Sequence, residues 1–385
     1  MLGRILKVNI PDNRVFGLDV LRAAAILFVV YGHGAYALAG LLPKSLVQLP
    51  LMDGVSLFFV LSGYLIGGII LKSYERSPAD VTLVWRFWLR RWFRTLPNYF
   101  LILVVLVAYH VVFQELSFAT IWRYFFFMQN FASDHPAFFP EAWSLSIEEW
   151  FYIFLPLCLL VLVRVGLRVQ TALLSLIVIT IVASLVFRYS RLLELDANNF
   201  ELGKLRVWDE LFRKQVVTRL DSLMYGVFGA YLHYYHAGIW EKYKRIFLLA
   251  GLGLLLLHKI TTFFIIGELA NHGLYYSVFS FVVVSLGALL LLPWLSQLYR
   301  HDGLLYRFIT VISLTSYSMY LVHLSLVRNI LVPGTLQLFP NLSGDWFLIA
   351  HYGLYWIYTV VLSIVLYKYF ELPMMNLRVR FANKT

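Results

Sequence analysis

Apolar runs of about 20 residues, the length that crosses a roughly 30 Å hydrocarbon layer, recur from one end of this chain to the other. They fall near residues 18–40, 54–71, 96–113, 147–165, 169–187, 220–235, 246–266, 274–295, 309–332 and 347–370, separated by polar stretches. Ten such segments predict an all-α, polytopic integral membrane bundle of about ten transmembrane helices, the fourth and sixth being the weakest in the pattern. An even number of crossings puts both termini on one side. Most of the Lys and Arg residues lie in the two tails and the even-numbered loops, which orients both termini to the cytosol. The exception is the loop at 188–219, whose basic residues are nearly balanced by Glu194, Asp196, Glu201, Asp209 and Glu210; the other outward loops contain only Lys44 and Arg123.

Composition agrees: 61% of the residues are hydrophobic and 14% charged, against about half and a quarter for a soluble domain. The net charge of +11 is spread between apolar runs rather than gathered into a basic domain, so topology explains it better than nucleic-acid binding. The single cysteine, Cys158, sits in an apolar run and offers neither a disulfide framework nor a cysteine metal site. Ala37-Leu38-Ala39 has the look of a signal-peptidase site, but the preceding segment is longer than a signal core and carries Arg22 and His33, so it is expected to stay. Without repeats or a linker, residues 1–385 are expected to form a single membrane domain with no appended soluble C-terminal domain.

Ionisable residues inside membrane spans are costly and face protein or a water-filled cavity. Arg22 and His33 are eleven residues apart, which puts them on one helix face, separated by about 16 Å along the axis; Asp19 and Tyr36 share the stripe. Imidazole suits proton removal from a hydroxyl and guanidinium suits an anion or carbonyl; snorkelling by Arg22 and interhelical bonding by His33 explain the pair equally well. At 85–100, Trp85, Trp88, Leu89, Trp92, Phe93 and Leu96 take one helical face and Arg86, Arg90, Arg91 and Arg94 the other. Such a helix is expected along the cytosolic interface, binding anionic lipid or the phosphates of a nucleotide-bearing cofactor. Glu148 and Glu149 enter the fourth span, where a carboxylate can orient His33 or simply favour the start of a helix capped by Ser144 or Ser146. Ser313, Ser316, Tyr320 and His323 share a broad face of the ninth span, with His323 at the depth of His33, arranged for a shared polar cavity or for helix–helix bonding. For Arg219, Asp221 and the closing FELP at 370–373, structural pairing and helix termination suffice.

Taken together these segments resemble the membrane-bound acyltransferase family 3, which modifies O-antigens, peptidoglycan, Nod factors and macrolides. The resemblance runs nearly end to end: GLDVLRAAAILFVVYGH, GVSLFFVLSGYLIG at 54–67, RWFR at 91–94, WSLSIEEWFY, RLDSLMYG, SYSMYLVH and FELP. It implies transfer of an acyl group, most simply acetyl, from cytosolic acyl-CoA to a hydroxyl of a surface or periplasmic glycan, in the cell inner membrane. By resemblance Arg22 and His33 are the signature pair, Arg91 and Arg94, with Arg90 beside them, hold the cofactor, and Glu148 is the acidic position. Asp19, Tyr36, Tyr320 and His323 remain candidates for the cavity. Two positions depart from the family pattern: Ser56 stands where relatives often have Asp, and Trp150 where Gln is common. No metal is expected, because no clustered ligand set is visible. The expected partners are the bilayer and a glycan or lipid-linked glycan, with no nucleic acid. Direct transfer and an acyl-histidine intermediate both remain open. The rivals are a transporter or flippase using His33, His323 and Arg328, and a sensor or degenerate relative without catalysis.

Overall fold

A computed structural model describes residues 8–11, 14–43, 46–47, 52–78, 80–113, 118–197, 205–268, 273–299 and 303–382; Lys44 and Glu201 lie outside the described residues. The long helices follow the apolar runs: α1 (Phe16–Gly34), α2 (Gly54–Arg76), α3 (Val81–Phe113), α4 (Ala142–Arg164), α5 (Val169–Ala197), α6 (Leu220–Tyr235), α7 (Lys244–Glu268), α8 (Ser280–Leu295), α9 (Leu304–Val322) and α10 (Gly344–Leu366). Among the described residues there are no strands, and nine helices are long and apolar enough to cross a membrane. The chain is a multi-pass membrane protein of all-α class.

The polarity of the bundle is reversed relative to a soluble one. Val104 and Val111 on α3, Ile179 and Val182 on α5, and Leu249 and Leu257 on α7 are exposed, while Asp19, Asn98, Glu149, Arg188, Asp221 and Glu371 are buried. Apolar side chains cost nothing against lipid tails, whereas polar ones must find each other inside. Arg188 and Asp221 do so at 2.7 Å, both fully buried. Glu371 of the FELP segment accepts from Asn98 at 3.0 Å and Ser318 at 2.6 Å, tying the end of the chain to α3 and α9.

The sixth segment folds over its expected bounds as a 16-residue helix, Leu220–Tyr235, and is the one of these ten helices that is not among the nine able to cross a membrane. Its most extensive contact is with α2, and the two backbones come so close that a Cβ on Gly226 would meet the Val60 carbonyl oxygen at 2.0 Å. The arginine-tryptophan stretch at 85–100 is not a separate interfacial helix. It forms the first half of α3, which runs unbroken for 33 residues through Pro97. The reason is that its tryptophans and inner arginines have partners within the protein: the Trp88 indole donates to the Tyr152 carbonyl at 2.9 Å, and Arg91 and Arg94 face a cavity.

The N-terminal segment returns to the end of the last long helix. Val8 packs on Ile364 and Tyr367, and the Gly17 amide donates to the Leu298 carbonyl at 3.1 Å. This is the termini end of the bundle. At the opposite, loop end, residues 126–141 and 208–219 fold over the helix mouths and bond to each other, Val216 N–H to the Asn130 carbonyl at 3.1 Å and Val217 N–H to the Phe131 carbonyl at 3.3 Å.

Candidate active site

Among the described residues, two cavities are lined by the residues singled out above. The termini-end cavity, about 110 Å³, is lined by Arg22 of α1, Arg91 and Arg94 of α3, Glu148 and Tyr152 of α4, and apolar Phe58, Leu61 and Leu65 of α2. Three guanidiniums against one carboxylate suit an anion. Arg22 is steadied by Asp19, 3.5 Å away, and donates to Ser313 at 3.3 Å. Asp19 itself accepts from Arg14 and from Ser313. Glu148 accepts from the Tyr152 hydroxyl at 2.7 Å.

The loop-end cavity is larger, about 430 Å³, within the range of roughly 300–1,000 Å³ that holds small-molecule ligands. His33, Trp143, Trp208, Tyr276 and His323 line it, with Asp53, Asp209, Arg213 and Lys214. Aromatic faces beside carboxylates and hydrogen-bond donors offer both stacking and polar contacts. The two cavities share a wall made of Val55 and Tyr320, which line both. The Tyr320 hydroxyl accepts from Ser144 Oγ at 2.7 Å and donates to the Glu141 carbonyl at 3.0 Å.

The two histidines meet in the larger cavity. His323 Nδ1 lies 2.7 Å from the Tyr320 carbonyl, and His323 Nε2 lies 3.0 Å from His33 Nδ1. A carbonyl can only accept, so the neutral His323 ring carries its proton on Nδ1 and offers Nε2 as acceptor. His33 must then carry its proton on Nδ1 and donate it, which leaves its Nε2 with a lone pair. In this arrangement His33 Nε2 is free of the histidine–histidine bond and able to accept a proton.

The loop end is held by an ion cluster. Arg213 bonds to Asp209 at 2.9 Å and Asp53 at 3.4 Å and lies 4.8 Å above the Trp143 ring. Ser56 donates to Asp53 at 2.6 Å and accepts from Arg219 at 2.6 Å. Burial opposes ionisation of Asp53, but Arg213, Arg219 and Ser56 outweigh it and hold the carboxyl below its ordinary value. Asp209 is likewise held down, against burial, by Arg213 and Lys214. Burial works against the Arg213 cation too, and the two aspartates overcome it. Both departures from the family pattern have structural partners. Ser56 bridges Asp53 and Arg219, and the Trp150 indole donates to the carbonyl of Phe127 at 3.0 Å, a residue in the left-handed backbone region at φ 56°.

The residues singled out in the sequence divide between these places. Arg22, Arg91, Arg94 and Glu148 come together at the termini-end cavity, His33, His323 and Tyr36 at the loop-end cavity, and Tyr320 between them. Tyr36 is 65% exposed, and Arg328 stacks over its ring at 5.7 Å. Arg90 is exposed, its Nε donating to the Arg86 carbonyl at 3.2 Å; it does not join its two neighbours. Glu148 bonds to Tyr152 rather than to His33, whose partner is His323. Among the described residues no three His, Cys, Asp or Glu side chains converge as a metal site requires.

A family model described as an acyltransferase domain matches residues 15–368. The chain belongs to this acyltransferase family, the membrane-bound family 3. It is 32% identical to peptidoglycan O-acetyltransferase OatA of Listeria monocytogenes over 164 residues, 38% of this chain and 24% of that protein. A putative peptidoglycan O-acetyltransferase, YrhL of Bacillus subtilis, is 35% identical over 165 residues, again 38% and 24%. A putative O-acetyltransferase of Staphylococcus aureus is 26% identical over 360 residues, 84% of this chain and 53% of that protein. The matched part thus covers about half or less of the length of these relatives. No solved structure matches.

Within this member of the family, sequence reasoning passed over Glu141, Asp53 and Arg213. Asp209 was counted only as loop charge. The spacing of Asp209 with Arg213 and of Glu210 with Lys214, four residues apart on one helical turn, was a readable sign that this part of the loop is ordered.

Proposed function

We propose that this chain is an O-acyltransferase that takes an acetyl group from acyl-CoA at the termini-end cavity and transfers it to a hydroxyl of an envelope glycan in the loop-end cavity. The termini then face the cytosol, where acyl-CoA is made, and the glycan lies on the far side of the cell inner membrane. The observation that carries this reading is the common Val55–Tyr320 wall between a cationic cavity and an aromatic one containing a histidine pair.

The termini-end cavity is too small for a nucleotide, so the nucleotide stays at the mouth. Arg91 and Arg94 hold its phosphates, Arg22 holds the cofactor further in, and the pantetheine arm carries the thioester past Tyr320 to His33. The rise from Arg22 to His33 is about 16 Å, too far for Arg22 to act on the reacting carbonyl. His33 Nε2 removes the proton from the acceptor hydroxyl as its oxygen attacks the thioester carbon. The tetrahedral adduct collapses, the carbon–sulfur bond breaks, and the CoA thiolate regains the proton from His33. Glu148 steadies the arginine side of the donor path.

Membranes containing wild-type chain or His33→Ala are supplied with radiolabelled acetyl-CoA and an extract of host envelope glycans, and free CoA and labelled glycan are scored. Both products from wild type alone are expected, with a loss of 10²-fold or more in the variant, the order contributed by a general base. Glycan acetylation that persists in His33→Ala overturns the role of His33. Absence of both products from folded wild-type protein overturns the donor or acceptor.

A further inference from the structure

We infer that Glu141 is a positioning residue, which holds a π-helical turn in α9's continuation and through it sets the orientation and tautomer of the His323–His33 pair. The inference rests on the proposed role of His33 as base.

At Val322 the α-helical winding of α9 gives way to a π segment, His323–Leu331. In an uninterrupted α-helix the amides of Leu324 and Ser325 would bond the carbonyls four residues back, at Tyr320 and Leu321. They do not stay there. Glu141 Oε1 accepts from the Ser325 amide at 2.6 Å and the Leu324 amide at 3.2 Å, and Glu141 Oε2 accepts from the Ser325 hydroxyl. The Tyr320 carbonyl, relieved of its amide, receives His323 Nδ1 instead. Glu141 also presents its own main-chain carbonyl to the Tyr320 hydroxyl. One loop residue, 2% exposed, thus closes both the helix distortion and the tyrosine between the cavities.

The consequence for chemistry follows in three bonds. Glu141 takes the two amides, which frees the Tyr320 carbonyl; the carbonyl fixes the Nδ1 proton of His323; and the Nε2 lone pair of His323 draws the Nδ1 proton of His33. Without the carboxylate, two amides inside the bundle lack an acceptor, and the least costly remedy is a return to α-helical register. One residue of register turns a side chain by about 100°, which separates His323 from His33. The conserved volume of glutamine retains a carbonyl oxygen for the amides, so Glu141→Gln keeps the π turn where Glu141→Ala does not. Burial pushes the Glu141 carboxyl up to about 7, while the Ser325 hydroxyl and the Ser325 and Leu324 amides favour its anion; a neutral side chain with an intact oxygen acceptor is therefore tolerated.

The test uses full-length protein in membranes with the acetyl transfer assay above, measuring kcat, the KM for acetyl-CoA and the pH profile for wild type, Glu141→Ala, Glu141→Gln and His33→Ala. Glu141→Ala is expected to lower kcat at least 100-fold with the donor KM within about 3-fold of wild type, because Arg22, Arg91 and Arg94 lie in the other cavity. Glu141→Gln is expected to restore kcat to within about 10-fold. If Glu141→Ala does not fold, Ser325→Ala decides, since it removes only the hydroxyl bond and is expected to lower kcat severalfold at unchanged donor KM. Wild-type kcat in the folded Glu141 variant, an equal rise in donor KM, or glutamine as inactive as alanine overturns the inference. Activity of His33→Ala equal to wild type instead removes the reading on which the inference rests.

Discussion

Asp53 stands one residue before α2, where its carboxylate joins Ser56, Arg213 and Arg219. Its folded-state value lies below the ordinary 3.8 because its cationic neighbours and Ser56 outweigh burial. The stabilisation from this group is therefore complete above the ordinary value and is lost as pH falls through the depressed one. In thermal unfolding of detergent-solubilised protein, Asp53→Asn is expected to cost about 2 kcal/mol at pH 7, the order of a charge-assisted hydrogen bond. The gap between wild type and variant should be smaller at pH 3 than at pH 7, because the pH has then fallen below the ordinary value towards the depressed one. A gap of the same size at both values would show that the charge of Asp53 is not what holds the loop. This residue was invisible in the sequence because a charge in a polar loop is ordinary. Arg22, His33 and His323 were legible for the opposite reason: an ionisable group inside an apolar run is costly and stands out. Tyr36 lines the same cavity as His33, although it lies past the end of α1 at Gly34, in a tighter 3-10 turn, Ala35–Leu38.

At the scale of elements, the pairing of α2 with α6 depends on absent side chains. A Cβ on Gly63 would lie 1.9 Å from the Leu223 carbonyl oxygen, and one on Gly226 would lie 2.0 Å from the Val60 carbonyl oxygen. Backbone cannot step aside as a flexible side chain does, so the helices must separate. In lipid, where close packing supplies much of the attraction between helices, that separation loses the contact itself. Gly63→Ala and Gly226→Ala are each expected to lower stability by about 1–3 kcal/mol, read as a fall in the midpoint of detergent unfolding. Gly68→Ala, whose Cβ would meet nothing within 4 Å, should leave it unchanged or raise it slightly, since alanine favours helix over glycine; a fall of equal size at Gly68 would mean that the α2–α6 approach is not what is being measured. Helix existence was readable from apolar length, as were the bounds of α6, yet two element-level features were not. The continuity of α3 through Pro97 depends on partners in α4, such as the Tyr152 carbonyl for Trp88. The π turn after Val322 exists because a carboxylate from a distant loop takes its amides. Each is a tertiary effect imposed on a local pattern that reads as ordinary helix.

For the whole molecule, the chemistry depends on which cavity faces which compartment. Acyl-CoA is a cytosolic metabolite, and Arg22, Arg91 and Arg94 sit at the end where the N-terminal segment meets the end of α10. The distribution of Lys and Arg between loops favours the cytosol for that end, as the proposed reaction requires. The single native cysteine makes the orientation measurable. In a Cys158→Ser background, Ser133→Cys places a thiol on an exposed loop-end position and Glu241→Cys places one on an exposed position between α6 and α7, at the termini end. A membrane-impermeant maleimide added to intact cells, with the outer envelope opened where there is one, should label Ser133→Cys alone, and both thiols after the inner membrane is permeabilised. Labelling of Glu241→Cys in intact cells would place the arginine cavity outside the cell, away from any acyl-CoA. The three guanidiniums would then have to serve an anionic donor or acceptor from the envelope, and the direction of transfer would be reversed. Because the two cavities differ so much in charge and lining, the same fold cannot carry out the proposed reaction in both orientations, and the label decides between them.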